Sequence, residues 1–133
     1  MKRLLLAACL VLAVASLLPA QTAQRQATFT IAAGASLSSA VYIEAGTLTK
    51  LYIPAMTACN FTVLESLNGT TFAQVYDGYN NLVTIQTGDG TAARYVQLSA
   101  GDWWGSRWLK FQCGTVAAPT TQVAKLTAIA IYK

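Results

Sequence analysis

From Ala27 onward the chain is written in alternation: short runs in which every second residue is apolar, each closed by glycine, proline or asparagine. Successive side chains of a strand point to opposite faces, so such a run has one buried and one wet face; a helix would repeat its apolar residues every three or four positions. Ala27–Ala32 reads ATFTIA, with Phe29 and Ile31 inward and Thr28 and Thr30 outward. Leu37–Glu44 sets Leu37, Val41 and Ile43 on one face. Thr47–Ile53 is closed by Pro54, which cannot donate to a ladder and suits a strand end. Phe61–Leu67 runs into Asn68-Gly69, a dipeptide that favours a two-residue turn with positive φ at both positions, and Thr71–Tyr76 is its partner. Leu82–Gln86 is a short strand, and Val123–Tyr132 is a longer one with Ile129 and Ile131 facing the same way. No stretch after the N-terminal segment holds a helical period.

The densest apolar and aromatic segment of this part is Arg94–Gly114, RYVQLSAGDWWGSRWLKFQCG. Val96 and Leu98 share one face against Tyr95 and Gln97, and Leu109, Phe111 and Cys113 alternate with Trp108, Lys110 and Gln112. Between these two strands lies a loop carrying Trp103 and Trp104. Eight or nine short strands separated by turn residues predict an all-β fold. A single antiparallel β-sandwich of jelly-roll type, over residues 27–133, buries one face of every strand.

Residues 1–23 are of another kind. Met1-Lys2-Arg3 is a basic start, Leu4–Leu18 is almost unbroken Leu, Ala and Val, and Pro19-Ala20 precedes small and polar residues. This is the pattern of a secretory signal peptide, a short hydrophobic helix cut after Ala20 or Ala23. This run of fifteen residues, broken only by Ser16, falls short of the roughly twenty that span a bilayer. An uncleaved anchor or docking helix is the alternative. Leu6-Ala7-Ala8-Cys9 matches a lipoprotein box, yet it comes too soon after the basic start, and the apolar run continues past it.

Without Lys2 and Arg3, seven basic residues stand against five acidic ones, a net charge of +2. The basic residues are scattered and form no stripe, which argues against nucleic acid as a partner. There is no histidine, so the usual base of a serine or cysteine nucleophile is missing, and zinc lacks a ligand set. Asp77, Asp89 and Asp102 sit in turn contexts, where aspartate ordinarily caps backbone, so glycosidase chemistry with two converging carboxylates is not expected either. Asp77, Asn80 and Asn81 bunch oxygens in one loop and Asp89 follows in another. They would suit calcium only if the loops converge, and ordinary turns are the plainer reading. No enzyme activity, metal or cofactor is expected.

Cys59 and Cys113 remain after the leader. In an exported protein they can pair, closing a loop of about 55 residues; in a cytoplasmic one they would be buried thiols. The best binding candidate is the tryptophan loop. Adjacent strand residues face opposite ways, so one of Trp103 and Trp104 is expected outside, where an indole stacks on a sugar or anchors a protein, with Asp102 and Arg107 supplying polar contacts. The other reading has one indole plug the end of the domain and the second cover it.

Ser66–Asp77, SLNGTTFAQVYD, resembles the S-x-[DN]-G-x-x-[FW] hairpin of discoidin-like and galactose-binding-like sandwiches, and Ala93–Leu98, ARYVQL, resembles their A-R-Y-V strand. With Gly34–Ser38 and Arg107–Phe111, the layout looks like small β-sandwich proteins that recur among structural genes of tailed bacteriophages. The resemblance implies a non-enzymatic structural or decoration protein of a phage-like virion, contacting other virion proteins or surface glycans, with a homo-oligomer open. An export signal departs from that pattern, since tailed-phage proteins assemble in the cytoplasm. The alternative is a secreted bacterial carbohydrate-binding module, periplasmic or extracellular, touching a membrane only through an uncleaved N-terminal segment.

Overall fold

The computed structural model describes residues 23–44, 46–99, 103 and 105–133. The leader segment lies outside them but for Ala23, as do Asp102 and Trp104 of the aromatic loop. The described chain is all-β, with antiparallel sheets and no α-helix. Its strands are β1 (Arg25–Ile31), β2 (Val41–Tyr42), β3 (Leu48–Ile53), β4 (Phe61–Ser66), β5 (Ala73–Gln74), β6 (Thr84–Ile85), β7 (Arg94–Gln97), β8 (Trp108–Cys113) and β9 (Leu126–Tyr132).

They form a four-stranded sheet in the order β1-β9-β3-β7 and a five-stranded sheet in the order β2-β8-β4-β5, with β6 also on β4. β5 and β6 share one edge of β4, the first opposite Leu64 and Glu65 and the second opposite Phe61 and Thr62. Outside β4–β6, each successive strand joins the other sheet, so almost every pairing joins residues far apart in sequence.

The alternation read from the sequence fixes the buried side of most strands. Phe29 and Ile31 of β1, Leu51 and Ile53 of β3, Val63 of β4, and Leu109, Phe111 and Cys113 of β8 are all buried in one core. Phe29 stacks on Phe111 of the other sheet with ring centroids 4.3 Å apart and meets Phe61 edge-on at 6.2 Å. Room for these rings comes from β9, whose inward residues are Leu126, Ala128, Ala130 and Tyr132. Phe29 lies in register with Ala128, a large residue beside a small one on the same buried face. Ile129 and Ile131 do face the same way, on the side of the sheet away from this core. A register shift between Leu48 and Lys50 marks a bulge on β3, where Thr49 Oγ1 donates to the Ile131 carbonyl at 3.0 Å.

Two local expectations are corrected. Leu37–Glu44 is not one continuous strand: only Val41–Tyr42 pairs as β2, and Leu37 is 38% exposed. Ser38 turns inward in its place, because its Oγ accepts the Phe111 N–H at 2.9 Å while its own N–H donates to the Phe111 carbonyl at 3.0 Å. A main-chain partner thus outweighs the apolar pattern at that position. At Asn68-Gly69 only Gly69 has positive φ, +76°. The connection is not a two-residue turn but a longer loop from the end of β4 to Ala73, built on the side chains of Ser66 and Asn68.

Candidate functional site

The two described members of the aromatic-loop site are placed differently. Trp103 is 3% exposed and lines a groove of about 290 Å³ between Val83–Gln86 and Val96–Ser99, the open margins of the two sheets. At that burial it presents no ring face to solvent there. Arg107 is exposed, and its carbonyl accepts the Ile43 N–H at 2.8 Å, which ties the loop to the end of β2.

An aromatic surface does exist, on the outer face of the five-stranded sheet. Trp108 points outward from β8, as its place in the alternation requires, directly opposite Tyr42 of β2 in one register and Ser66 of β4 in the other. The Tyr42 and Trp108 rings lie 4.7 Å apart at 38°, and Tyr42 remains 44% exposed. Gly69 rests on the Trp108 indole, so close that a Cβ at Gly69 would come 2.9 Å from Cε2. One pleat along β8, the Lys110 ammonium stands 4.4 Å from the centroid of the Phe72 ring, a cation held over an aromatic face. Ring faces beside a fixed ammonium can stack on a sugar or receive an apolar side chain with a neighbouring acid. The sequence places Trp108 and Lys110 on a wet face; Tyr42 and Phe72 join them only through pairing of separate strands.

The acidic loops are occupied by their own backbone. Asp77 Oδ1 accepts N–H bonds from Asn81 at 2.8 Å and Tyr79 at 2.9 Å, and Oδ2 accepts from Asn81 Nδ2 at 3.0 Å. The Asn81 N–H foremost, then the Asn81 side chain and the Tyr79 N–H, hold the Asp77 carboxyl below its ordinary range. Asp89 is likewise lowered, first by the Thr91 N–H and then by the Thr91 hydroxyl and Arg94, with which it forms an ion pair. Glu44 pairs with Arg25. Among the described residues no three Cys, Asp or Glu side chains gather as a metal site. The loop of Asp77 borders a shallow pocket of about 540 Å³ between Val75–Gly78 and Leu82–Thr84.

Cys59 and Cys113 form a disulfide, with Cα atoms 5.6 Å apart. The strand order explains the meeting: Cys59 lies just before β4 and Cys113 ends β8, and those strands are paired from Thr62–Gln112 onward. The buried Gln122 amide seals the bridge. Its Nε2 donates to Cys113 Sγ at 2.9 Å and to the Thr57 carbonyl at 3.3 Å, and its Oε1 accepts the Thr57 N–H at 3.0 Å.

Comparison of the chain with protein-family models, with characterised proteins and with solved structures finds no match.

Proposed function

We propose that this chain is a non-enzymatic structural or decoration protein of a phage-like particle, a β-sandwich of jelly-roll type that works by presenting its surface to a protein or a glycan. The strand order carries the reading. A jelly roll wraps eight strands into two facing sheets as two Greek keys, an architecture that recurs in viral capsid and lectin domains. The order β1-β9-β3-β7 with β2-β8-β4 fits that winding if β5 and β6, which share one edge of β4, together fill the eighth place. The chemistry agrees, since three of the four described side-chain carboxylates are committed to ion pairs or a turn cap. The contact surface is assigned to Tyr42, Trp108 and Lys110, with Arg107 at the loop before β8. The test is sedimentation of particles from the native source through a density gradient, followed by peptide identification. Peptides of this chain in the particle band support the reading; their confinement to the soluble fraction refutes it.

The disulfide favours a second reading, a secreted carbohydrate-binding module with residues 1–23 as its signal peptide, because such bridges persist in oxidising compartments. It predicts an intact mass beginning near Gln21 or Gln24, and saturable glycan binding that Tyr42→Ala weakens. A full-length chain with free thiols would remove this reading.

A further inference from the structure

The loop between β4 and β5 holds an arrangement that neither reading uses. Ser66, buried at the end of β4, accepts the N–H of Gly69 at 3.0 Å and that of Asn68 at 3.3 Å, and donates its own hydroxyl to Asn68 Oδ1 at 2.9 Å. Asn68 Oδ1 also accepts the N–H of Thr70 at 2.9 Å, the N–H of Thr71 at 3.0 Å and the Thr70 hydroxyl at 2.9 Å. Main-chain N–H groups only donate, so the atom facing Thr70 and Thr71 is the amide oxygen, and Nδ2 is left as the group that can depart. A continuous path of hydrogen bonds thus runs from the Gly69 nitrogen through the Ser66 hydroxyl to the Asn68 carbonyl oxygen.

We propose that Asn68 is a self-modifying site, converted through a cyclic imide by attack of the Gly69 nitrogen, with Ser66 as the proton relay. The Gly69 nitrogen forms a bond to Asn68 Cγ. Its proton passes to Ser66 Oγ as the Ser66 proton passes to Oδ1, so a neutral tetrahedral adduct forms with no charge stranded. The Thr70 and Thr71 N–H groups stand where an oxyanion hole needs its donors and stabilise the oxygen as charge builds on it. Collapse breaks the Cγ–Nδ2 bond, the hydroxyl proton goes to the departing nitrogen, and ammonia leaves. Solvent water then opens the imide at either carbonyl, giving aspartate or isoaspartate at position 68; one water is consumed for each ammonia released. Gly69 has no side chain to obstruct the attacking nitrogen, and its φ of +76° is one that other residues rarely adopt.

The product reaches the aromatic surface. Isoaspartate adds a main-chain methylene before Gly69, which rests on Trp108, so Gly69 shifts off the indole and a carboxylate joins the rim beside it.

The experiment incubates the full chain in mildly alkaline buffer, folded and in guanidinium, and follows Asn68 by peptide mapping for imide, aspartate and isoaspartate, with Asn60, Asn80 and Asn81 as internal references. Asn68 is expected to convert about tenfold faster folded than denatured, given the relay and oxyanion donors. Ser66→Ala should remove that gain and leave the denatured rate unchanged, while Trp108 emission shifts as isoaspartate accumulates in the parent. Thr70→Val, which keeps Ser66, should slow the folded reaction by less and stands in if Ser66→Ala does not melt cooperatively. A folded rate below the denatured one, or a folded Ser66→Ala protein that converts as fast as the parent, overturns the proposal.

Discussion

Replacing Cys59 and Cys113 together by alanine is expected to destabilise the domain by about 4 kcal/mol while leaving its fold intact. The cysteines are 54 residues apart, and in the chain-entropy model a loop of that size removes about 14 cal/mol/K from the unfolded chain, or about 4 kcal/mol at 25 °C. The folded state loses little, because β4 and β8 stay paired from Thr62–Gln112 to Ser66–Trp108. Gln122 Nε2 loses its sulfur acceptor but keeps the Thr57 carbonyl at 3.3 Å. At about 4–8 °C per kcal/mol for a domain near this size, Tm should fall by about 15–30 °C. Guanidinium unfolding of parent and double variant, each with and without reductant, measures it. Reductant should bring the parent to the variant and leave the variant unchanged. A double variant within about 1 kcal/mol of the parent would refute the loop-closure argument. So would a variant of normal stability slope whose β4 and β8 amides lose hydrogen-exchange protection in the native state, since the bridge would then be holding the folded sheet.

Trp103→Ala should cost about 3–5 kcal/mol in denaturant unfolding, as for other buried indoles, and leave any glycan affinity of the folded fraction unaltered; selective loss of binding with normal stability would contradict the burial of Trp103. Gly69→Ala combines a left-handed backbone with a Cβ 2.9 Å from Trp108, and a loss of about 1–3 kcal/mol is expected; a neutral result in thermal melts would show that the loop moves freely off the indole. For Asp77, whose folded pKa lies below the ordinary value of 3.8, the unfolded chain protonates first. Its stabilisation is therefore complete above that value and disappears as pH falls through the lower folded one. Chemical-shift titration of the Tyr79 and Asn81 amides should follow this transition, and a midpoint at or above the ordinary value would contradict the capping role.

The strands were legible where burial alone sets the pattern. Phe29, Ile31, Leu109 and Phe111 are inward in both the alternation and the structure, since each has only the choice of two faces. The alternation breaks where a side chain finds a main-chain partner. Ser38 turns in toward the Phe111 amide and puts Leu37 out, and the hydroxyl of Ser66 with the amide of Asn68 replaces a two-residue turn by a longer one. Tyr42 and Phe72 gave no sign of a site, because neither is near Trp108 or Lys110 in sequence.

Composition and period determined by themselves that the chain after the leader is built from short strands, most with one buried face, that it offers no histidine as a catalytic base, and that two cysteines are available to pair. These are local properties, set by two-residue periodicity and by which residue types are present. Only the tertiary structure decided the strand order, because nearly every neighbour in the two sheets is distant in the chain and no turn specifies such a pairing. That order brings Cys59 to Cys113, seats Trp103 between the sheet margins and sets Tyr42 against Trp108. Each meeting follows from which strands lie side by side, a condition set in three dimensions that no single strand contains.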